Sequence, residues 1–152
     1  KKAIKSGVQV REGQDSDSLH DIIELVLKRY HDAEPVHSKS ELRSLMVDFP
    51  DNIRLFLAYD NQEKVCAGVM VYVTKKTIHC QYTVSNDEGR DVGALDLILD
   101  TLINHDSFKD RDYFDLGIST EEQGRVLNEG LISQKEGFGG RGILFNQYLI
   151  EV

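Results

Sequence analysis

The chain has 152 residues, with 26 acidic against 18 basic side chains, a formal net charge of −8 and 40% hydrophobic content. That length and apolar share suit one domain with its own core, and the negative balance opposes non-specific binding to nucleic acid or to an anionic membrane. No apolar run approaches the roughly 20 residues a membrane-spanning helix needs, and Cys66 and Cys80 stand alone in apolar contexts, so buried free thiols in a reducing, cytoplasmic setting are expected.

The chain opens on Lys1-Lys2 without a methionine, as an excerpt of a longer protein would. Val8 and Val10 alternate with polar neighbours and predict a short first strand. Asp15 to Ser18 offers helix N-caps, after which Leu19, Ile22, Ile23, Val26, Leu27 and Tyr30 share one helical face. Ser38 and Glu41 form a capping-box pattern for a second helix that turns Leu42, Leu45, Met46 and Phe49 inward and stops at Pro50. Three strand runs follow, Ile53 to Tyr59, Val65 to Val73 and Thr77 to Val84, divided by Asp60-Asn61 and Lys75-Lys76. Connections that short require an antiparallel meander.

After a loop from Ser85 to Arg90, a helix from about Asp91 to Asn104 presents Leu95, Ile98, Leu99 and Leu102 to a core. A strand from Tyr113 to Ile118, a helix from Gln123 to Glu136 and a closing apolar strand from Ile143 to Ile150 complete the order β-α-α-β-β-β-α-β-α-β. One domain over residues 1–152 is expected. The last stretch holds seven of the 12 glycines, from Gly117 to Gly142.

Two patterns in the sequence mislead. Gly137 to Gly142 spells G-x-G-x-x-G, but after a helix and before a strand, the reverse of a dinucleotide fingerprint. A helix stop and tight turn, with Phe138 as core anchor, is the better reading. His31, Asp32, Glu34 and His37 are metal-ligand types in a short window. Pro35 interrupts them and no histidine pair has helical spacing, so an inter-helix loop accounts for them and no metal is expected.

This order of elements resembles the GNAT (Gcn5-related N-acetyltransferase) fold, an α/β (α+β) architecture in which a mixed, mainly antiparallel sheet flanked by helices splays between its fourth and fifth strands to admit an acyl-CoA. The tail is similar to the C-terminal GNAT-like half of FemAB-type transferases, through Asp115, Gly117, Gly130, Leu131, Lys135, Gly137, Phe138 and Gly139. FemAB-type proteins carry two such halves.

The resemblance implies that the loop after the fourth strand, Ser85 to Gly93, holds the CoA pyrophosphate through backbone N–H groups, with the N–H near Val84 polarising the acyl carbonyl. The family pattern there, Gln/Arg-x-x-Gly-x-Gly/Ala, is met by Arg90 and Gly93, followed by Ala94, and departs from it at Leu95. Asp87, Glu88 and Asp91 add charge that repels a pyrophosphate, and an ordinary polar loop suits the same residues. His79, with Gln81 and Thr83 on its face of the strand, is a general-base candidate, as is Glu129, which shares a helix side with Glu136; a half-exposed strand histidine and a solvated helix face are the plainer readings. Asn128 and Lys135, seven residues apart on one predicted helix face, would bind a polar or anionic group. Ser133 stands where the family often has a tyrosine acid.

The expected function is acyl transfer from acetyl-CoA or another acyl-CoA to a small-molecule or peptide amine. A FemAB-like half using an aminoacyl-tRNA donor is one alternative. A non-catalytic GNAT-shaped ligand-binding or assembly module is the other, favoured by Ser133 and the incomplete Arg90 pattern.

Overall fold

In the computed structural model, which describes residues 1–30, 32–144, 146 and 148–150, backbone contacts group Lys1–Asp115 into one unit and Leu116–Val152 into another. The first unit runs through α1 (Lys2–Lys5), β1 (Gln9–Gly13), α2 (Ser16–Tyr30), α3 (Lys39–Asp48), β2 (Ile53–Tyr59), β3 (Val65–Val73), β4 (Thr77–Ser85), α4 (Asp87–Val92), α5 (Ala94–Ile103) and β5 (Tyr113–Asp115). Its five strands lie in sequence order β1-β2-β3-β4-β5. The first four pair antiparallel because short turns join them, whereas β5 is reached by a helical crossover and pairs parallel to β4.

Local chemistry sets the helix starts. The Asp15 carboxylate accepts from the Ser18 N–H at 3.1 Å and from its hydroxyl at 2.6 Å. Ser38 and Glu41 form the expected capping box at α3, with the Ser38 N–H donating to the Glu41 carboxylate at 2.7 Å. Before β1, α1 is an element that the charged sequence KAIK did not suggest.

Cross-strand partners share a sheet face, so the register sorts the core into two layers. Leu55, Leu57, Met70 and Val84 meet Leu19, Ile22 and Ile23 of α2 and Leu42 and Met46 of α3 in one cluster. Phe56 pairs with Val69 on the opposite face, and α5, with Ile98, Leu99 and Leu102 buried, packs against β2, β3 and β4. Gly68 permits the first layer to close, because a Cβ there would come within 2.5 Å of Leu19 Cδ1 and 2.9 Å of Leu57 Cδ2.

The single helix expected over Asp91 to Asn104 is two helices. Asn86 caps α4 by accepting from the Gly89 N–H at 2.8 Å, and Gly93, at φ +74°, ends it in the left-handed region before α5 begins.

In the second unit, β6 (Thr120–Glu121) and β7 (Val126–Leu127) form a hairpin, followed by α6 (Glu129–Gly137). The helix expected from Gln123 therefore starts only at Glu129. Glu122, Gln123 and Gly124 all have positive φ, which no right-handed helix accommodates, and the turn they make folds the chain back as a hairpin. Past α6 the glycines make the expected turn, with the Gly139 N–H donating to Glu136 O at 2.9 Å and Gly139 at φ +86°. Phe138 is half-buried rather than a core anchor.

Two predicted strands differ. The run from Tyr113 pairs only as far as Asp115. The closing strand expected over Ile143 to Ile150 is not formed among the described residues, where Ile143, Leu144, Tyr148, Leu149 and Ile150 are exposed; a strand pattern becomes a strand only against a partner edge, and none pairs here. His31, from the metal-ligand window, lies outside the described residues. No helix among those described is long and apolar enough to cross a membrane.

Both cysteines are buried and free of disulfides. Burial, helped by the Asp60 carboxylate, pushes the Cys66 thiol from 9.0 up to about 11. A thiol harder to ionise when folded adds stability below pH 9.0 that fades as pH rises towards about 11. Urea unfolding across that range should show this decline, and Cys66→Ala should show a shallower one; equal slopes would assign the decline to other groups.

Candidate active site

β4 pairs with β3 from Ile78 to Ser85 but with β5 only at Thr77↔Tyr113, Ile78↔Phe114 and His79↔Asp115. The second ladder stops there while β4 runs on to Ser85. Beyond His79, β4 also carries a bulge, since Val71 faces Cys80 and Met70 faces Tyr82, leaving Gln81 as the extra residue. Instead of Gln81 and Thr83, the bulge puts Tyr82 on the His79 face, together with Tyr72, the cross-strand partner of His79. This is the face covered by α2 and α3.

His79 and Asp115, opposite one another at the last pair, place the His79 Nδ1 2.7 Å from an Asp115 carboxylate oxygen. A neutral ring donating from Nδ1 to a carboxylate keeps Nε2 as a lone-pair acceptor, the arrangement of an oriented base. The two side chains are 35% and 45% exposed, open enough to meet a substrate. Nearby, His37 Nδ1 is bonded to the Tyr82 hydroxyl. Burial raises both the Tyr72 and Tyr82 phenols, so both are neutral near pH 7. A cavity of about 350 Å³ beside α3 is lined by His37, Ser40, Glu41, Ser44, Leu45 and Asp48.

At the far end of β4 the chain is clamped to β3. The buried Ser85 hydroxyl donates to Cys66 O at 3.2 Å, and the Asn86 N–H donates to the same carbonyl at 3.1 Å. Ser85 therefore spends its side chain on the turn. Val84 is buried opposite Gly68, and Ala94 is fully buried at the start of α5, which has no side-chain cap. Arg90 is not a free cation either, because it pairs with Asp87 and donates to the Tyr30 hydroxyl at 2.9 Å. Arg29 pairs with the same aspartate. Arg90 first, then Tyr30, hold the Asp87 carboxyl below its ordinary range, so the expected repulsion from Asp87 is largely neutralised on the spot.

The remaining predicted site residues lie in the second unit. Asn128 is the N-cap of α6 rather than a residue of its face, accepting from the Leu131 N–H at 2.9 Å and donating to Glu121 at 2.7 Å. Lys135 Nζ donates to Gly117 O at 3.1 Å and to Ile118 O, satisfying carbonyls at the end of the Asp-x-Gly run. Glu129 is exposed in the first turn of α6, a position the helix dipole favours for a carboxylate. Ser133 is exposed.

The sequence reading missed Asp115 as the partner of His79. It placed Asp115 in a tail motif, and only the parallel register sets it opposite residue 79. The Arg29–Tyr30–Asp87–Arg90 group was missed for a similar reason, its halves lying at the ends of α2 and α4.

A family model described as an acetyltransferase (GNAT) domain matches residues 1–123. Among solved structures, a possible acetyltransferase from Clostridium difficile 630 superposes with a TM-score of 0.73 at 16% identity, over 95% of this chain and 97% of that one. A predicted acetyltransferase with acetyl-CoA from Clostridium acetobutylicum gives 0.65 at 14% identity, over 94% and 96%. An aminoglycoside acetyltransferase from an uncultured soil metagenomic sample, in complex with sisomicin, gives 0.67 at 11% identity, over 97% and 99%. Likeness at these identities is one of fold. Among curated proteins, none matches the sequence significantly.

The turn after β4 has one position with no room for a side chain. A Cβ at Gly89 would lie 2.2 Å from Cys66 O and 2.5 Å from Ser85 Oγ. Gly89→Ala should cost about 1–3 kcal/mol of stability by overpacking, read from chemical denaturation, whereas Gly124→Ala, in open space, should cost only its strained φ.

Proposed function

Since the chain belongs to the GNAT acetyltransferase family, we propose that it transfers an acyl group from acyl-CoA to an amine, with His79 as general base and Asp115 as the group that orients it. The observation that carries this reading is the end of the β4–β5 ladder at the His79–Asp115 pair, where a half-buried imidazole held by a carboxylate stands at the last paired position of that edge. The edge of β4 from the bulge to Ser85 and the clamped turn beyond it fit an extended donor, with the N–H near Val84 available to polarise a carbonyl.

Acyl-CoA, when bound, supplies a thioester carbon to which the acceptor nitrogen bonds as the C–S bond breaks. His79 Nε2 takes the proton that the nitrogen must lose. Asp115 keeps the ring in that tautomer and stabilises the imidazolium. The imidazolium then returns the proton to the departing thiolate, a downhill transfer because a thiol's ordinary pKa of about 8.5 lies above that of imidazole. This route removes the need for the tyrosine acid that Ser133 replaces. Tyr72, Tyr82 and the cavity beside α3 give the acceptor a polar approach on the same face as His79.

A FemAB-like use of this fold is the second reading. It is favoured by Lys135, which binds carbonyls at the end of the Asp115-x-Gly117 run and so joins two parts of the tail pattern.

Calorimetry should detect saturable CoA binding. In a free-thiol assay with acetyl-CoA and a panel of amines, His79→Ala should lower kcat about 100-fold or more with little change in KM for acetyl-CoA, and Asp115→Asn should act in the same direction but less strongly. Unchanged turnover in His79→Ala would falsify the assignment of the base.

A further inference from the structure

α2 carries a stripe of ionisable side chains. Asp17, His20, Asp21 and Glu24 fall at i, i+3, i+4 and i+7 of this helix, the spacing that sets side chains on one face. Two of them are held from α3, where the Arg43 Nε donates to the Asp17 carboxylate at 2.7 Å and Lys39 pairs with Asp21. His20, between them, is different in kind. It is only 9% exposed, and its Nδ1 is shut off from solvent with no hydrogen-bond partner among the described residues. A Glu24 carboxylate oxygen, one turn on, lies 4.0 Å from that nitrogen, beyond hydrogen-bond reach.

A buried imidazole nitrogen without a partner is costly, and a carboxylate just out of reach does not offset that cost. A cation between the two would. His20 Nδ1 and one carboxylate oxygen each of Asp21 and Glu24 all lie within 4.8 Å of one another. Ligand atoms bound to one zinc ion at about 2.0–2.2 Å stand about 3.3 Å apart in tetrahedral geometry, so the three must close by about 1.5 Å at most. The groups that have to move can do so, since the Asp21 and Glu24 side chains are 61% and 59% exposed while burial fixes the imidazole. One imidazole and two carboxylates form a nitrogen–oxygen donor set that suits zinc and its first-row neighbours, in contrast to the all-oxygen ligands of calcium and magnesium. Two carboxylates also balance the whole charge of a divalent ion.

We propose that His20 Nδ1 and the carboxylates of Asp21 and Glu24 bind a divalent transition-metal ion of the zinc type, with water in the remaining position. None of its ligands comes from the 31–37 window, where no metal is expected. The site is independent of acyl transfer, because it uses none of the residues assigned to the donor or to the base. It does touch the support of the active face. Asp21 is the residue by which α2 holds Lys39, the first residue of α3, and these two helices cover the sheet face that carries His79. A metal that takes Asp21 competes with Lys39 for that carboxylate, so ion binding and the α2–α3 ion pair oppose one another. Arg43, paired with Asp17, is the other α3 cation on this stripe and opposes the metal by charge alone.

The test is calorimetric titration of zinc chloride into the full chain and its His20→Gln, Asp21→Asn, Glu24→Gln, Lys39→Gln and His79→Ala variants, with folding checked by thermal unfolding. The unaltered chain should bind zinc saturably, and His20→Gln, Asp21→Asn and Glu24→Gln should each bind it about tenfold or more weakly. Lys39→Gln, which removes the competitor for Asp21, should bind it about threefold more tightly, and His79→Ala should match the unaltered chain. Absence of saturable binding overturns the proposal, as does binding that keeps its full strength in His20→Gln or in Glu24→Gln. Binding lost in His79→Ala would belong to the His79–Asp115 pair and overturns it too, and equal or weaker binding in Lys39→Gln sets the ion apart from Asp21 and overturns the three-residue site. Should His20→Gln fail to fold, Glu24→Gln decides, because its side chain is exposed and its loss leaves the core untouched.

Discussion

The structure turns on a strand with unequal neighbours. β4 satisfies its backbone against β3 from Ile78 to Ser85, but its pairing with β5 ends at His79. A buried strand inside a sheet normally has both edges bonded, because unpaired N–H and C=O groups are costly away from water. Past His79 no strand pairs with that edge of β4 among the described residues, and water or a ligand can satisfy its backbone there. The bulge at Gln81 adds to the effect, bending β4 within the stretch that has lost its second neighbour and moving Tyr82 onto the His79 face.

The rest of the first unit holds β4 in that position. One layer, built on Leu55, Leu57 and Met70, fastens the sheet to α2 and α3 and leaves His79, Tyr72 and Tyr82 along its margin. At the other end the Cys66 carbonyl takes both the Ser85 hydroxyl and the Asn86 N–H, and Gly89 packs directly over it. Gly68 and Gly89 thus matter for what they leave out, since each admits a neighbour where a methyl group would collide. In the tail, Gly124 and Gly139 act differently and supply backbone angles in open space, while Gly140 again leaves room, for the Lys135 carbonyl. The two close-packed glycines of the first unit stand singly in a strand and a short helix.

Elements whose signals are local were readable. β2 and β3 fall where the apolar runs begin and end, bounded by turn residues, and the Ser38–Glu41 box fixes the start of α3. Elements that depend on a partner or on a backbone conformation were not. The pattern of residues 143–150 suits a strand, yet among the described residues it pairs with none, and positive φ at Glu122 and Gln123 makes a hairpin from residues with good helix propensity. The site divides along the same line. His79 is legible as a histidine within a strand run, whereas its link to Asp115 requires the parallel register of two strands far apart in the chain. Arg90 is visible as part of a motif, but its contacts with Tyr30 and Asp87 decide what that charge is used for.

With the acyl-CoA donor proposed above, an acidic chain faces a conflict that net charge cannot resolve. At −8 its long-range field disfavours the encounter, and only cations within a Debye length of the binding edge can offset it. Arg29 and Arg90, stacked on one tyrosine, place two such charges together at the open end of β4. The Asp87 carboxylate, one turn from Arg90 on the same helix, pairs with both guanidinium groups and neutralises part of that charge on the spot. At the other end of β4, His79 and Asp115 form the last pair of the β4–β5 ladder, joined by a bond of 2.7 Å.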